Sequence, residues 1–312
     1  MSSPDCVVTG LRSVALGVEN FDEVLDFYTG LWGLVTVAQT GETAWLASPT
    51  DPAAFLLRLR KVEAKRLDLI GLAARSRADV DALAARLAAA DVRIDRQPAD
   101  LDSPGGGYGF RFFDCDGRLI EVAADVAPRA VGNGNIGGAI EGAPVNLSHV
   151  VLNTLDVSAT RAFYQDMLGF QLSDWLEDRM CFLRCASPKH HIIAIAQGPH
   201  VSLNHVAYDV GTIDAQMRAT GRLKRAERKL IWGPGRHFIG NNTFSYFIDP
   251  AGNVCEFTCE LEEITDPDWQ PRKVGMAPEF QDQWGTGGLV TDGMIPAQFN
   301  TPDQGLWQTS PL

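Results

Sequence analysis

Short stretches in which apolar and polar side chains alternate recur along the chain, and this period of two predicts β-strands. The clearest pair of strands lies in the second half. Phe244 and Tyr246 fall on one face of a predicted strand, and Asp-Pro-Ala-Gly at 249–252 has the composition of a tight turn. Val254 and Glu256 share one face of the return strand. Because an unpaired carboxylate is costly to bury, we expect Glu256 to meet a cation or another partner.

The strand patterns occur twice, because the first half of the chain resembles the second half at a nearly constant offset. Phe27-Tyr28 corresponds to Phe163-Tyr164 at an offset of 136 residues. Further along, Glu121 corresponds to Glu256 at an offset of 135 residues. The chain is therefore predicted to contain two copies of one unit.

Each copy divides once more into two similar parts. Strands opening at 67–70 and at 203–206 precede stretches with helical spacing at 79–90 and 212–220. This order predicts an α+β fold of four βαβββ modules in two tandem domains. The predicted boundaries are 1–130 for the first copy, 131–145 for a glycine-rich linker, 146–260 for the second copy and 261–312 for a tail.

Composition narrows the class of protein. The chain has 312 residues with 45% hydrophobic and 21% charged content, as in an ordinary globular protein. Its net charge of −12 argues against nucleic acid or an anionic membrane as partner. We see no signal peptide and no apolar run of membrane-spanning length, and we expect the six cysteines to be reduced thiols in the cytoplasm.

The histidines are distributed unevenly between the two copies. All six lie in the second half, at positions 149, 190, 191, 200, 205 and 237. Two histidines and one carboxylate are an economical ligand set for a divalent metal, so His149, His205 and Glu256 are the candidate ligands. At the repeat offsets the first copy has Ser13 and Ile70 in place of the two histidines, which predicts that only the second copy binds metal.

Each candidate residue taken alone also fits an ordinary structural role, and the interpretation depends on their joint spacing. His237 is followed by Tyr246, by Asp-Pro-x-Gly at 249–252 and by Glu256. This spacing resembles the signature of type I extradiol ring-cleaving dioxygenases of the vicinal oxygen chelate superfamily. Ser245 departs from the family's usual apolar residue. The His-His pair ending at His191 resembles the segment that carries the family's acid–base histidine.

The resemblance implies a mechanism for each matched position. His149, His205 and Glu256 would hold Fe(II), and Mn(II) suits the same ligands. A catechol and dioxygen would react there in the catabolism of aromatic compounds, to give a muconic semialdehyde-type product. His191 would take or return a proton. Two further side chains would donate hydrogen bonds to the substrate, and these are His237 and Tyr246.

Substrate and assembly are predicted in less detail. Val151, Phe182 and Leu183 are expected to border the pocket, and their apolar character favours a catechol with an uncharged alkyl or aryl substituent. The natural catechol stays open. We expect the aromatic tail to pack as a lid or in a subunit contact of a homo-oligomer. Two alternatives use the same fold: a metal-dependent glyoxalase-like isomerase or lyase, and a metal-free small-molecule-binding protein.

Overall fold

Four modules with the same order of elements make up most of the chain in a computed structural model, which describes residues 5–131 and 140–311. Each module is a strand, a helix and three further strands, so the predicted α+β fold of four βαβββ modules is confirmed. The first two modules contain β1 (Val8–Val18), α1 (Phe21–Asp26), β2 (Val35–Thr40), β3 (Thr43–Ala47), β4 (Leu57–Lys61), β5 (Arg66–Ala74), α2 (Arg77–Ala89), β6 (Ile94–Asp100), β7 (Tyr108–Phe113) and β8 (Leu119–Ala124).

The second copy repeats this order. Its elements are β9 (Asn146–Thr154), α3 (Val157–Leu168), β10 (Gln171–Leu176), β11 (Met180–Arg184), β12 (Ile193–Gln197), β13 (Ser202–Asp209), α4 (Ile213–Arg225), β14 (Trp232–Arg236), β15 (Thr243–Ile248) and β16 (Val254–Cys259). The tail adds β17 (Arg272–Val274), α5 (Pro278–Gln281) and α6 (Met294–Phe299). A π-helical turn, Phe27–Trp32, extends α1.

Each copy forms one mixed sheet. The first has the order β2-β3-β4-β1-β5-β8-β7-β6, and the second has β14-β15-β16-β13-β9-β12-β11-β10-β17. The two modules of a copy meet at a central antiparallel pair, β1 with β5 or β9 with β13. The second sheet therefore places β16, β13 and β9 side by side, although they are far apart in sequence.

The helix predictions differ from the structure mainly in length. The helix expected at 212–220 is α4, which continues to Arg225 despite the glycine at 221. Thr212 caps this helix by accepting a hydrogen bond from the backbone N–H of Ala215 at 3.1 Å. The basic residues of its last turn suit the negative end of the helix dipole.

The repeated Phe-Tyr and Asp-x-x-Gly motifs join the two copies. The hydroxyl of Tyr28 donates to Asp249 of the second copy at 3.1 Å. In the reciprocal contact, the hydroxyl of Tyr164 donates to Asp114 of the first copy at the same distance. All four residues are buried. The sequence motifs that revealed the duplication thus have a structural role at the interface between the copies.

The tail contacts both copies. Strand β17 extends the second sheet by pairing with β10. Beyond α6, the backbone N–H of Trp307 donates to Gly117 in the first copy at 2.7 Å. The carbonyl of Ser310 accepts from Arg111 at 3.1 Å, and that of Pro311 accepts from Arg58 at 2.9 Å. A role as lid or subunit contact stays a prediction.

Part of the predicted linker, residues 132–139, lies outside the described residues. None of the described helices is both long and apolar enough to cross a bilayer. All six cysteines are free thiols, as expected from their number and spacing.

Candidate metal centre

Three adjacent strands bring the predicted ligands together. Ala207 on β13 lies opposite His149 on β9 and opposite Glu256 on β16. His205 lies two residues before Ala207 and therefore faces the same side of the sheet. One ligand atom from each of these three side chains lies within 4.8 Å of the others, and all three residues are buried. The structure therefore contains a site whose composition and spacing suit a metal ion.

Hydrogen bonds that begin at the tail determine which nitrogen of His205 carries its proton. The backbone carbonyl of Gln298 can only accept, and it takes a hydrogen bond from the Asn153 amide at 2.8 Å. The oxygen of Asn153 then accepts from the amide of Asn204 at 2.8 Å. Because the NH₂ of Asn204 is used in that bond, its side-chain oxygen faces His205 and accepts from Nδ1 of that ring at 2.8 Å. Neutral His205 consequently has a lone pair on Nε2.

Two acceptors then face each other with no proton between them. Nε2 of His205 lies 3.2 Å from Oε2 of Glu256, and Nε2 of His149 lies 3.3 Å from the same oxygen. Within the described part of the chain, Glu256 Oε2 and His205 Nε2 are buried atoms without a hydrogen-bond partner. Ligands about 2.1 Å from a metal at right angles are about 3 Å apart, so these residues fit a divalent ion.

The charge of the Glu256 carboxylate depends on a positive partner. Burial opposes ionisation of Glu256, but positive charge and hydrogen bonds from His149 and His205 outweigh it and lower the pKa of this carboxyl to about 2. Burial also lowers the pKa of His205, which favours its neutral, metal-binding form. A neutral imidazole does not supply the positive charge that keeps Glu256 ionised, so a bound cation would take that role.

Bulges in β9 and β13 hold the two histidines in place. Ser148 and Asn204 are each the extra residue at a register shift, so each lies beside the histidine that follows it. The hydroxyl of Ser148 lies 3.0 Å from Nδ1 of His149, and the amide oxygen of Asn204 lies 2.8 Å from Nδ1 of His205. These neighbours orient both rings so that Nε2 faces Glu256.

His191 lies beside the candidate ligands. Its ring is buried, and its centroid is 4.4 Å from that of His149. Burial, followed by the charges of His149 and the other histidines, places the pKa of His191 well below its usual value. His191 is thus a neutral imidazole at the edge of the site.

His237 and Tyr246 are also brought together, but they bond to each other. Nδ1 of His237 donates to the backbone carbonyl of Gln281 in the tail at 2.9 Å. Nε2 therefore accepts from the hydroxyl of Tyr246, 3.0 Å away. Burial and the nearby Glu256 charge raise the pKa of Tyr246 well above its usual value, so the phenol keeps its proton. The pair offers one movable hydroxyl proton rather than two independent donors.

The site opens into a cavity of about 380 Å³ with a largely apolar lining. Val151 and Phe182 line this cavity, as predicted. Leu183 was predicted wrongly: it packs in the main hydrophobic core, because successive residues of a strand point to opposite faces. The tail supplies a further part of the lining that has no periodic signal in the sequence, namely Met276, Phe280, Val290, Met294, Ile295 and Phe299.

Two further residues of the site were missed at the sequence level. Asn242 lines the cavity, and its amide lies 3.4 Å from Oε1 of Glu256. Trp232 also lines the cavity and stacks on Tyr246 with a centroid distance of 5.4 Å. The available signal in the sequence was the Asn-Asn pair at 241–242 shortly after His237, because asparagine adopts positive φ more readily than most residues, as Asn241 does here.

The first copy lacks the histidines, but one predicted counterpart was wrong. Strand register makes Leu69, rather than Ile70, the equivalent of His205, because Leu69 lies opposite Ala15 as His205 lies opposite Val151. The offset between the copies is still 136 residues in β5 and becomes 135 only after this strand. Using 135 for β5 therefore gave Ile70, one residue beyond the true counterpart of His205.

The sequence profile of the Glyoxalase/Bleomycin resistance protein/Dioxygenase superfamily matches residues 10–122 and 146–257. The chain belongs to this superfamily. The two matched ranges correspond to the two copies, and the predicted resemblance to extradiol dioxygenases is confirmed by the names of curated relatives.

Metapyrocatechase 2 from Cupriavidus necator is 30% identical over 199 residues, which are 58% of this chain and 62% of that protein. The alignment thus spans less than two thirds of that relative. The manganese-dependent 2,3-dihydroxybiphenyl 1,2-dioxygenase from Geobacillus genomosp. 3 is 26% identical over 83% of this chain and 87% of that protein. Among solved structures, the Mn(II)-bound glyoxalase from Novosphingobium aromaticivorans has a TM-score of 0.90 and 44% identity, covering 98% of this chain and 99% of that one.

Proposed function

We propose that the protein is an extradiol dioxygenase, which uses molecular oxygen to open a catechol ring beside its two hydroxyl groups. The proposal rests above all on His149, His205 and Glu256, whose ligand atoms converge at the end of an apolar cavity and include two buried atoms without a hydrogen-bond partner, Nε2 of His205 and Oε2 of Glu256. The names of two curated relatives support the same reaction class.

In this proposal His149, His205 and Glu256 hold Fe(II), and Mn(II) fits the same donors, as two relatives named for manganese suggest. When bound, such a metal supplies Lewis-acid polarisation of the catechol hydroxyls and a position where dioxygen reacts with the ring. His191 takes a proton from the substrate and returns it later. Tyr246, held by His237, turns its hydroxyl toward charge that develops on the substrate oxygen.

The cavity supports a substrate with an uncharged substituent. Its volume of about 380 Å³ exceeds what a bare catechol ring needs, and its lining beyond the site is mainly apolar. Val151 and Phe182 contact the ring in this proposal, and the tail side chains surround the substituent and exclude water. We therefore expect alkyl- or aryl-substituted catechols to be better substrates than a carboxylated one such as homoprotocatechuate. A homo-oligomer and a cytoplasmic location stay predictions from the sequence.

A second candidate is a glyoxalase-like isomerase, favoured by the name of the similar Mn(II)-bound structure. That reaction class also uses a metal in this fold, but it does not need an acid–base histidine next to a Tyr–His pair. Within the described residues the candidate ligand group has three members. The two candidates therefore differ in substrate and in their use of dioxygen, and one set of assays separates them.

The decisive experiment is anaerobic reconstitution with Fe(II) or Mn(II), followed by a catechol and air. We expect oxygen uptake and a yellow ring-fission product with 3-methylcatechol or 2,3-dihydroxybiphenyl, and slower turnover with homoprotocatechuate. Isomerisation of the methylglyoxal–glutathione adduct without oxygen uptake would favour the second candidate. Faster turnover of homoprotocatechuate would overturn the proposed substrate class while leaving the reaction class intact.

The role of His191 has its own test. His191→Phe should leave the metal content unchanged, because His191 lies outside the candidate ligand group. Turnover should fall about 100-fold or more, as expected when a general acid–base is removed. The measurement is kcat together with metal content by elemental analysis. Parallel loss of metal and activity would contradict the proton-transfer role.

A further inference from the structure

A chain of four polar groups runs from the tail to His191. The guanidinium of Arg272 in β17 donates to Oδ2 of Asp174 at 2.6 Å, and its backbone N–H donates to Oδ1 at 2.7 Å. Nε2 of His190 lies 2.9 Å from Oδ2 of Asp174. Nδ1 of His190 lies 2.9 Å from Nδ1 of His191. Asp174 and His190 are fully buried, so these contacts have no competition from solvent.

The carboxylate end of the chain determines where the protons lie. Burial opposes ionisation of Asp174, but hydrogen bonds from His190 and Arg272 outweigh it and lower its pKa. An ionised carboxylate only accepts, so Nε2 of His190 must carry a proton. Neutral His190 then has a lone pair on Nδ1, and only a proton on Nδ1 of His191 can bridge the two rings. Nε2 of His191 is left unprotonated.

The opposite arrangement would require a charged His190. A doubly protonated His190 would donate from Nδ1 to His191 and force the proton of His191 onto Nε2. Arg272 already provides a positive charge beside Asp174, and its other acidic partner, Glu262, keeps contact with solvent. A second cation with no exposure at all would therefore be poorly compensated. The neutral form of His190 is the one that the contacts favour.

We propose that Asp174 and His190 are positioning residues that set the tautomer of His191, so that its unprotonated Nε2 is the nitrogen available to the cavity. The inference deepens the proposed function, because a base must have a lone pair facing its substrate. Arg272 makes this arrangement depend on the tail. Trp269 covers the same region, since its Nε1 donates to the carbonyl of Ser173 at 2.8 Å and its ring lies under the guanidinium of Arg272.

The test reads the tautomer directly, without metal or substrate. Long-range ¹⁵N–¹H NMR of ¹⁵N-histidine-labelled, metal-free protein distinguishes Nδ1–H from Nε2–H, and His191→Phe assigns the His191 signals. We expect wild-type His191 to be the Nδ1–H form. In Asp174→Asn, the fixed backbone N–H of Arg272 should hold the amide oxygen and turn the NH₂ toward His190, while the half-exposed guanidinium of Arg272 moves off this position and keeps Glu262 as its partner. Both rings should then invert, which leaves the proton of His191 on Nε2.

A matched control uses the residue that follows Arg272 in β17. This residue, Lys273, pairs with Asp178 at 2.7 Å, and both side chains are exposed. Asp178→Asn makes the same chemical change there, and it should leave the His191 signals unchanged. An Nε2–H form in the wild type would overturn the inference, even if Asp174→Asn did not fold. An unchanged Nδ1–H form in folded Asp174→Asn would overturn it as well.

Activity provides a second and separable readout. On the metal-loaded enzyme, Asp174→Asn should lower kcat with a catechol about 100-fold, with little change in KM or metal content. Asp178→Asn should behave like the wild type. If the wild type cleaves no catechol, the proposed function fails, whereas the NMR result still decides the tautomer. If the wild type is active and Asp174→Asn keeps full kcat, the positioning role is refuted.

Discussion

The two copies contain the same buried carboxylate but compensate its charge in opposite ways. Glu256 in the second copy faces two histidine rings, and because His205 presents a lone pair to it, its charge needs an added cation. Glu121 occupies the same place in the first copy and binds the guanidinium groups of Arg12 and Arg111. The comparison suggests that a carboxylate at this position becomes a metal ligand only when no resident cation neutralises it.

Bulges at corresponding positions of the two copies supply the residues that surround each carboxylate. In the second copy, the bulged residues Ser148 and Asn204 orient the two histidines. In the first copy, the corresponding bulges carry Arg12 and Asp68. Arg12 binds Glu121, and Asp68 forms ion pairs with three arginines of its own sheet, Arg58, Arg60 and Arg66.

The position of Tyr246 completes the comparison between the copies. It lies opposite Glu256 in β15, and Arg111 lies opposite Glu121 in β7. Where the second copy opens into a cavity of about 380 Å³, the first copy has one of about 20 Å³. The tail completes this closure, because its Ser310 carbonyl accepts from Arg111. The first copy is thus a closed structural counterpart of the second.

The largest expected difference between the copies is in metal binding. Glu256→Gln should weaken Fe(II) or Mn(II) binding by more than about 100-fold, because loss of a ligand exceeds the usual effect of altering its surroundings. Glu121→Gln, the matched change in the first copy, should leave affinity unchanged. Titration of both variants by calorimetry measures this. Equal weakening by the two substitutions would mean that the first copy also takes part in binding.

The next largest effect is on stability, and here the substitution in the first copy should be the more damaging one. Glu121→Gln leaves two buried guanidinium groups without their charge partner and should cost about 3–5 kcal/mol of unfolding free energy. Glu256→Gln in metal-free protein should be neutral or stabilising, because the new amide can donate to the lone pair of His205.

Urea denaturation of the metal-free proteins provides the measurement for both variants. The comparison between the copies would fail if Glu256→Gln were the more destabilising of the two.

The fold was predictable because its signals are local and repeated. Alternation in strands such as β15, turn residues and the offset between the copies were sufficient for four modules. The ligands were predictable because His149 and His205 have no histidine counterparts in the first copy. Ile70 and Leu183 show the limit of this approach, since an error of one residue along a strand moves a side chain to the opposite face.

The contribution of the tail could not be predicted in the same way. Its contacts are set by packing against residues that are distant in sequence, and its hydrophobic residues have no helical or strand period. Arg272, Gln281 and Gln298 each begin a hydrogen-bond chain that ends at a histidine of the site. Two of these three use only a backbone carbonyl, which every residue has and which therefore leaves no trace in the sequence.

The smallest expected effect is a pH dependence of the difference in unfolding free energy between the wild type and Glu121→Gln. Burial opposes ionisation of Glu121, but Arg12 and Arg111 outweigh it, so the pKa of Glu121 in the folded protein lies below the ordinary value of 4.5. A group with a depressed folded-state pKa contributes its full stability above the unfolded value and loses it as the pH falls through the folded one. The stability gap between the two proteins should therefore be constant from pH 7 to about 5 and narrow below about 4.5. Urea midpoints at pH 7 and pH 4 check this. Both proteins contain all the other carboxyl groups, so their titration cancels in the difference. The amide of the variant does not titrate, so the remaining pH dependence belongs to Glu121. A gap that widens in acid would mean that the two guanidinium groups do not stabilise the ionised carboxylate, and the contrast with Glu256 would lose its electrostatic basis.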